Sequence, residues 1–226
     1  MQINESITVA EIATSSLAAV RVFERLGIDY CCGGKRLLAD VCRQKGYDTA
    51  AVRRELDGAE KASDDTRDWS SAALVDLVNH IVGTHHAYLN RELPALSARL
   101  DKVYRVYNQR HGPTLTGLPE VFGDLRSQLE MHMRKEEMVL FPAIVEQRPF
   151  EALANAIGVM ETEHESVGKA LVTIREITQG FHILEYACVT YRALMSGLQE
   201  LERDLHVHIH LENNVLFPRA MRGDVS

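Results

Sequence analysis

Two stretches of the chain, 76 residues apart, carry one pattern: His132 to Pro142 reads HMRKEEMVLFP and His208 to Pro218 reads HIHLENNVLFP. In each, a glutamate follows a histidine by four positions. On an α-helix, positions i and i+4 lie on one face, one turn apart. His132 and Glu136 therefore project to the same side, as do His208 and Glu212. The same offset pairs Leu125 with Leu201, Leu129 with Leu205, Val139 with Val215 and Leu140 with Leu216. An offset of 78 residues pairs His86 with His164. Such a chain is constrained to two related helical hairpins, each with one helix bearing His and one bearing His-x3-Glu.

The periodicity around these motifs is helical throughout. Long amphipathic segments cover about 70–107, 118–148, 149–179 and 186–220, separated by His111-Gly112-Pro113, Pro149 and the run Gly180–Glu185. Short connections between long amphipathic helices imply an antiparallel four-helix bundle. Residues 1–57 read as a small helical domain. Leu17, Val20, Phe23 and Leu26 recur at helical spacing before Gly27, which suits a helix C-terminus. Leu37, Leu38, Val41 and Cys42 mark a second helix, and Val52 and Leu56 a third. Between the first two lies the turn Tyr30-Cys31-Cys32-Gly33-Gly34. Residues 58–69, in the polar run DGAEKASDDTRD, read as a linker ahead of a bundle over 70–226. The fold class is all-α.

The histidines fall on the apolar side. Leu125, His132 and Val139 are seven apart, as are Leu201, His208 and Val215. His86 belongs with Val75, Val78, Val82, Leu89 and Leu93, and His164 with Ile157, Met160, Val167 and Leu171. Buried carboxylates cost several kcal/mol each unless a cation pairs with them. No Lys or Arg shares these inner positions, so two bound metal ions would supply the charge. Four imidazoles and two carboxylates able to bridge suit iron or manganese. A single buried histidine is more often a hydrogen-bonded core residue, but four inward histidines with a repeated carboxylate spacing resist that reading. His206 and His210, two residues either side of His208, are expected in solvent, His111 and His182 in loops, and His80 off the stripe. His85 could be a partner to its neighbour His86.

A net charge of -7 argues against nucleic acid or anionic lipid as a partner. No apolar run reaches the ~20 residues that span a bilayer. The segment from Met1 to Ala10 lacks a basic, then apolar, leader pattern, so four reduced cysteines and a cytoplasmic location are expected.

The bundle resembles the hemerythrin-like di-iron proteins, and Tyr30-Cys31-Cys32-Gly33-Gly34, after Leu26-Gly27-Ile28, resembles the short ScdA-type N-terminal domain of the RIC (repair of iron centres) family. The resemblance covers nearly the whole chain. It implies two non-haem iron ions held by His86, His132, His164 and His208, with Glu136 and Glu212 as bridging carboxylates. Where oxygen carriers of this kind have one more histidine, a turn from the position of His164, this chain has Met160 and Gly168. The irons should then be more open and less firmly retained, which favours reaction or release over oxygen carriage. Glu163 is a candidate acid for moving protons or iron, or else a solvated helix-surface glutamate.

Cys31 and Cys32 precede Lys35 and Arg36, whose charge would lower a thiol pKa. The resemblance implies a part in iron transfer or redox chemistry; the bland reading is two small residues packing a turn. Cys42 and Cys188 occupy helical positions and are expected buried and inert. The resemblance implies repair of iron–sulfur clusters damaged by nitrosative or oxidative stress, by donating iron to damaged iron–sulfur proteins, with a possible homodimer. Two other functions fit the same residues: a di-iron enzyme reducing nitric oxide or peroxide, and a gas- or redox-sensing module that binds oxygen.

Overall fold

A computed structural model describes residues 7–61, 69–111 and 115–224. Helices dominate it. Among the described residues the one β feature is an isolated antiparallel bridge between Thr8 and Leu37. The elements are α1 (Val9–Ser15), α2 (Leu17–Leu26), α3 (Leu38–Lys45), α4 (Thr49–Lys61), α5 (Leu74–His80), α6 (Ala87–His111), α7 (Leu118–Lys135), α8 (Phe141–Val145), α9 (Phe150–Ile177), α10 (Val189–His210) and α11 (Phe217–Arg222). Three π-turns interrupt them: π1 (Ile81–His86) joins α5 to α6, π2 (Glu136–Leu140) joins α7 to α8, and π3 (Leu211–Leu216) joins α10 to α11. The all-α expectation holds, and the long helical segments begin and end within a few residues of their expected limits. His111 closes α6 rather than lying in a loop, and α1 is an additional helix. Helix α4 runs on to Lys61, into the expected linker 58–69, whose residues 62–68 lie outside the described ones.

Chain contacts divide the molecule into two units. One takes the chain up to Asn79, Ile144–Ala154 and the chain from His206; the other takes His80–Ala143 and Asn155–Leu205.

In the first unit, Thr8 caps α1 through a reciprocal pair. Its hydroxyl accepts from the Glu11 amide at 3.2 Å, and the Glu11 carboxylate accepts from the Thr8 amide at 2.7 Å. Helix α2 stops at Gly27, whose φ of 61° is the left-handed conformation the sequence suggests. Val9, Ile12, Val20, Phe23, Leu38, Val41, Cys42, Val52 and Leu56 form the core of these short helices. Farther along the chain, buried Arg219 of α11 donates to the carbonyls of Trp69 (3.0 Å) and Ala72 (2.6 Å).

In the second unit, α6, α7, α9 and α10 form a closed, antiparallel ring. Helices α6 and α7 are in contact. Ser166 of α9 donates to Gln128 of α7 at 3.2 Å, and Arg175 of α9 to Glu202 of α10 at 2.9 Å. At Gly197 of α10 a β-carbon would sit 2.7 Å from Leu96 Cδ2 of α6, which marks the close approach of these two helices. Leu89, Leu93, Leu96, Leu125, Leu129, Ile157, Met160, Val167, Leu171, Leu198, Leu201 and Leu205 are buried. Each such side chain contributes about 2 kcal/mol over leaving it exposed.

The π-turns change the expected stripes. A π-turn inserts one extra residue and rotates the helix beyond it by roughly 100°. Val139, expected inside, is 62% exposed, and Leu140 takes its place. Val75 is likewise exposed and Val82 half-buried, while Leu74, Leu77 and Ile81 face the core.

Candidate metal centre

Four of the anticipated ligand residues, His86, His132, Glu136 and His164, converge in the second unit. Glu136 opens π2 and is 0% exposed. Its Oε2 lies 3.3 Å from His86 Nε2, and its Oε1 lies 3.3 Å from His132 Nε2. His132 Nε2 is in turn 3.0 Å from His164 Nε2. Donor atoms of His132, Glu136 and His164 all lie within 4.8 Å of one another, and so do those of His86 and Glu136.

The outward ring nitrogens explain the inward ones. His86 Nδ1 is 2.7 Å from Glu137 Oε1, and its ring stacks 5.7 Å from Phe141. His132 Nδ1 is 2.8 Å from Glu163 Oε2, and Lys135 holds the other Glu163 oxygen. A carboxylate that accepts the Nδ1 proton leaves the Nε2 of a neutral imidazole able to bind a cation. Burial works to raise the Glu163 pKa, but hydrogen bonds from Lys135 and His132 outweigh it and hold the group below the ordinary range. Neither oxygen of Glu136 accepts a hydrogen bond from any described residue. A carboxylate without a hydrogen bond, set among imidazole nitrogens in a dry core, suits a cation, and imidazole nitrogens with carboxylate oxygen suit non-haem iron. The two oxygens of Glu136 face different imidazoles.

The family comparisons agree with that chemistry. The family described as Hemerythrin HHE cation binding domain matches residues 76–220, and ScdA_N, a domain of unknown function (DUF542), matches residues 5–60. The chain is 37% identical over 217 residues to the iron-sulfur cluster repair protein YtfE of Pectobacterium carotovorum, covering 96% of this chain and 97% of that one. It is 37% identical over 223 residues to the proteins of the same name from Yersinia pseudotuberculosis and Yersinia pestis, covering 98% of each chain. The chain belongs to the RIC family of hemerythrin-domain proteins.

Two of the anticipated ligand residues lie in the first unit. His208 and Glu212 are both buried, with Nε2 2.9 Å from Oε1. His210, expected in solvent, is buried as well: its ring meets Tyr30 edge-on at 5.5 Å, and burial pulls its pKa down to about 4. His206 is half-buried and packs on the same tyrosine at 6.1 Å. The expectation fails because Tyr30 of the thiol loop covers this side of α10, which the helix's own pattern does not disclose. His85 is buried too, with Nδ1 2.9 Å from Asp204 Oδ1.

Cys31 and Cys32 are free thiols with their sulfurs 3.8 Å apart. Asp29 knots their loop, its carboxylate accepting from the amides of Cys31, Cys32 and Gly33 at 3.1, 3.0 and 2.9 Å. Lys35 and Arg36 stand in solvent. The expected lowering does not occur at Cys31: its hydrogen bond with Cys32, its burial and the Asp29 charge push its thiol well up. Cys42 is buried as expected, but Cys188 is exposed. It directly precedes α10, where the amide of Tyr191 leads the interactions that lower its thiol pKa.

Sequence reasoning sets aside Glu137 and does not reach Lys135 or Asp204. A carboxylate beside each ligand-bearing turn is the available signal for the first.

Proposed function

We propose that this chain holds two iron ions through His86, His132, Glu136, His164, His208 and Glu212, with Glu136 and Glu212 bridging. In this reading it repairs iron–sulfur clusters damaged by nitrosative or oxidative stress, by giving up iron. Iron is then cargo as well as ligand-bound ion. The observation that carries the reading is Glu136: wholly buried, with no hydrogen bond to either oxygen and a different histidine facing each. The sequence repeat extends the same role to His208 and Glu212. The name of the relatives, iron-sulfur cluster repair protein, supports the destination of the iron.

Each of the chain's own residues then has a task. Glu137 and Glu163 keep His86 and His132 in the tautomer whose Nε2 binds metal. Bound iron supplies a Lewis-acidic, redox-active centre. Lys135, on the other oxygen of Glu163, holds that carboxylate in place and favours its charged form. Cys31 and Cys32 receive the departing ion. The residues up to Lys61, where α4 ends, form the thiol-bearing domain, and 70–226 the bundle. The clients are damaged iron–sulfur proteins in the cytoplasm, and the working form is a homodimer. Among the described residues no helix is long and apolar enough to cross a membrane.

The test is transfer. Iron-loaded protein, mixed anaerobically with an apo-cluster acceptor, should rebuild the cluster faster than an equal amount of iron in buffer; equal rates would sink the proposal. Met160 and Gly168, standing where oxygen carriers of this kind have a further histidine, leave the centre open to a small molecule, which favours a second reading as a nitric oxide or peroxide reductase. Reductant-dependent formation of nitrous oxide or water, undiminished when Cys31 and Cys32 are both replaced by Ala, would select it.

A further inference from the structure

The thiol loop is fastened to the turn that carries Glu212, and the fastening is specific. Asn214 of π3 donates from Nδ2 to the carbonyls of Tyr30 and Cys31, both at 3.2 Å. The same amide lies 3.1 Å from His210 Nδ1. Asn213 reaches the Cys31 carbonyl at 3.5 Å. His210 is also hydrogen-bonded to the Tyr30 backbone. Three side chains within four residues of Glu212 thus hold the backbone immediately ahead of the vicinal thiols. The loop is closely packed at its glycines. A β-carbon at Gly34 would stand 2.5 Å from the Tyr30 carbonyl, and one at Gly33 would stand 2.9 Å from Asp29 Oδ2. In the sequence repeat the matching positions are Arg134, Glu137 and Met138, all exposed. Where the first copy is exposed, the second therefore makes a set of amide and imidazole contacts to two carbonyls.

We propose that Asn214, with Asn213 and His210, is a positioning clasp that makes the Cys31–Cys32 loop and the Glu212 turn move as one part. Occupation of the thiols by a thiophilic ion then loosens the grip of Glu212 on iron, and release of the clasp breaks that link. The iron half of this inference rests on Glu212 being a ligand, as proposed above; the docking half does not.

The test uses the full chain, metal-free and iron-loaded, with phenylarsine oxide as the probe, which joins two thiols through As–S bonds and releases water. In the unsubstituted, iron-loaded chain the arsenical should speed iron loss to a ferrous chelator several-fold. Asn214→Ala should raise the basal loss rate and abolish the further response to the arsenical. In the metal-free chain the same substitution should raise alkylation of Cys31 by about tenfold, the effect of removing hydrogen bonds that keep a segment docked. Asn214→Asp, which sets an anion against two carbonyl oxygens, should exceed Ala, whereas a purely space-filling role would tolerate it. Met138→Ala, at the matching position of the first copy, should change none of these.

An arsenical response of equal size in Asn214→Ala, or none in the unsubstituted chain, overturns the coupling. Unchanged Cys31 alkylation in a folded Asn214→Ala overturns the clasp. Should Asn214→Ala fail to fold, the arsenical response of the unsubstituted chain still decides the coupling. A chain that binds no iron yet shows the alkylation change refutes the proposed function and leaves the docking intact.

Discussion

The turns π2 and π3 are copies of one sequence pattern, and their inner faces agree. Glu136 and Glu212 are both wholly buried, and Leu140 and Leu216 beside them are buried too. Their outer faces differ at every position. Met138 is 77% exposed although apolar, while Asn213 is buried although polar. Val139 meets solvent and Val215 does not, because α1 packs on π3. The inner residues answer to donor chemistry, which is the same in both copies. The outer residues answer to what covers them, and only the second copy has carbonyls of a neighbouring loop to satisfy. Hydrophobicity alone would have assigned Met138 and Asn213 the wrong way round.

The sharpest way to break the comparison is at the shared carboxylates. Glu136→Gln should lower iron affinity by more than about 100-fold, beyond the usual loss when a ligand's outer partner is removed. Without metal the same variant should be more stable by about 1–3 kcal/mol, since it removes a buried charge that accepts no hydrogen bond. Glu212 already lies 2.9 Å from His208 Nε2, so Glu212→Gln should lose iron similarly but gain less in the apo state. Elemental analysis and urea titration of apo protein read both. Full iron content in Glu136→Gln would remove it from the ligand set.

One step down come the groups behind the ligands. Glu137→Ala frees the Nδ1 side of His86 and should weaken iron retention about 10- to 100-fold. Asn213, its counterpart in the second copy, bonds a backbone carbonyl instead, so Asn213→Ala should fall short of that loss. Competition with a ferrous chelator measures the pair; equal losses would mean that the two outer faces do the same job.

Gly34→Ala bears on the loop that the second copy grips. Its β-carbon would meet the Tyr30 carbonyl at 2.5 Å and Ala10 Cβ at 2.9 Å. Neither can retreat without moving backbone, so a loss of about 2 kcal/mol is expected in thermal or urea unfolding. A neutral result would show that the loop has slack.

The same contrast separates what is legible in the sequence from what is not. Spacing alone places His132 with Glu136 and His208 with Glu212, because a helical repeat is a local property. His86 and His164 are legible because their stripes are long and unbroken on one side. The π-turns are not legible: nothing in EEMVL or LENNVL announces an extra residue, and that residue carries Val139 outward. The burial of His210 escapes the sequence because it depends on Tyr30, 180 residues away in the chain. Cys31 misleads because charge nearby in sequence, at Lys35 and Arg36, points to solvent while Asp29 folds back onto the thiol.

The mildest comparison uses one substitution at two matching positions. Val215→Ala removes two buried methyl groups beneath α1 and should cost about 1.5 kcal/mol in the metal-free protein. Val139→Ala, in solvent, should stay within about 0.5 kcal/mol of the unsubstituted chain. Metal must be absent from both samples, because bound ions would add their own stabilisation to the folded state. Urea unfolding then isolates the cover that the second copy has and the first lacks. Equal costs would mean that α1 does not shield π3 in solution, and the contrast between the copies would reduce to their polar contacts alone.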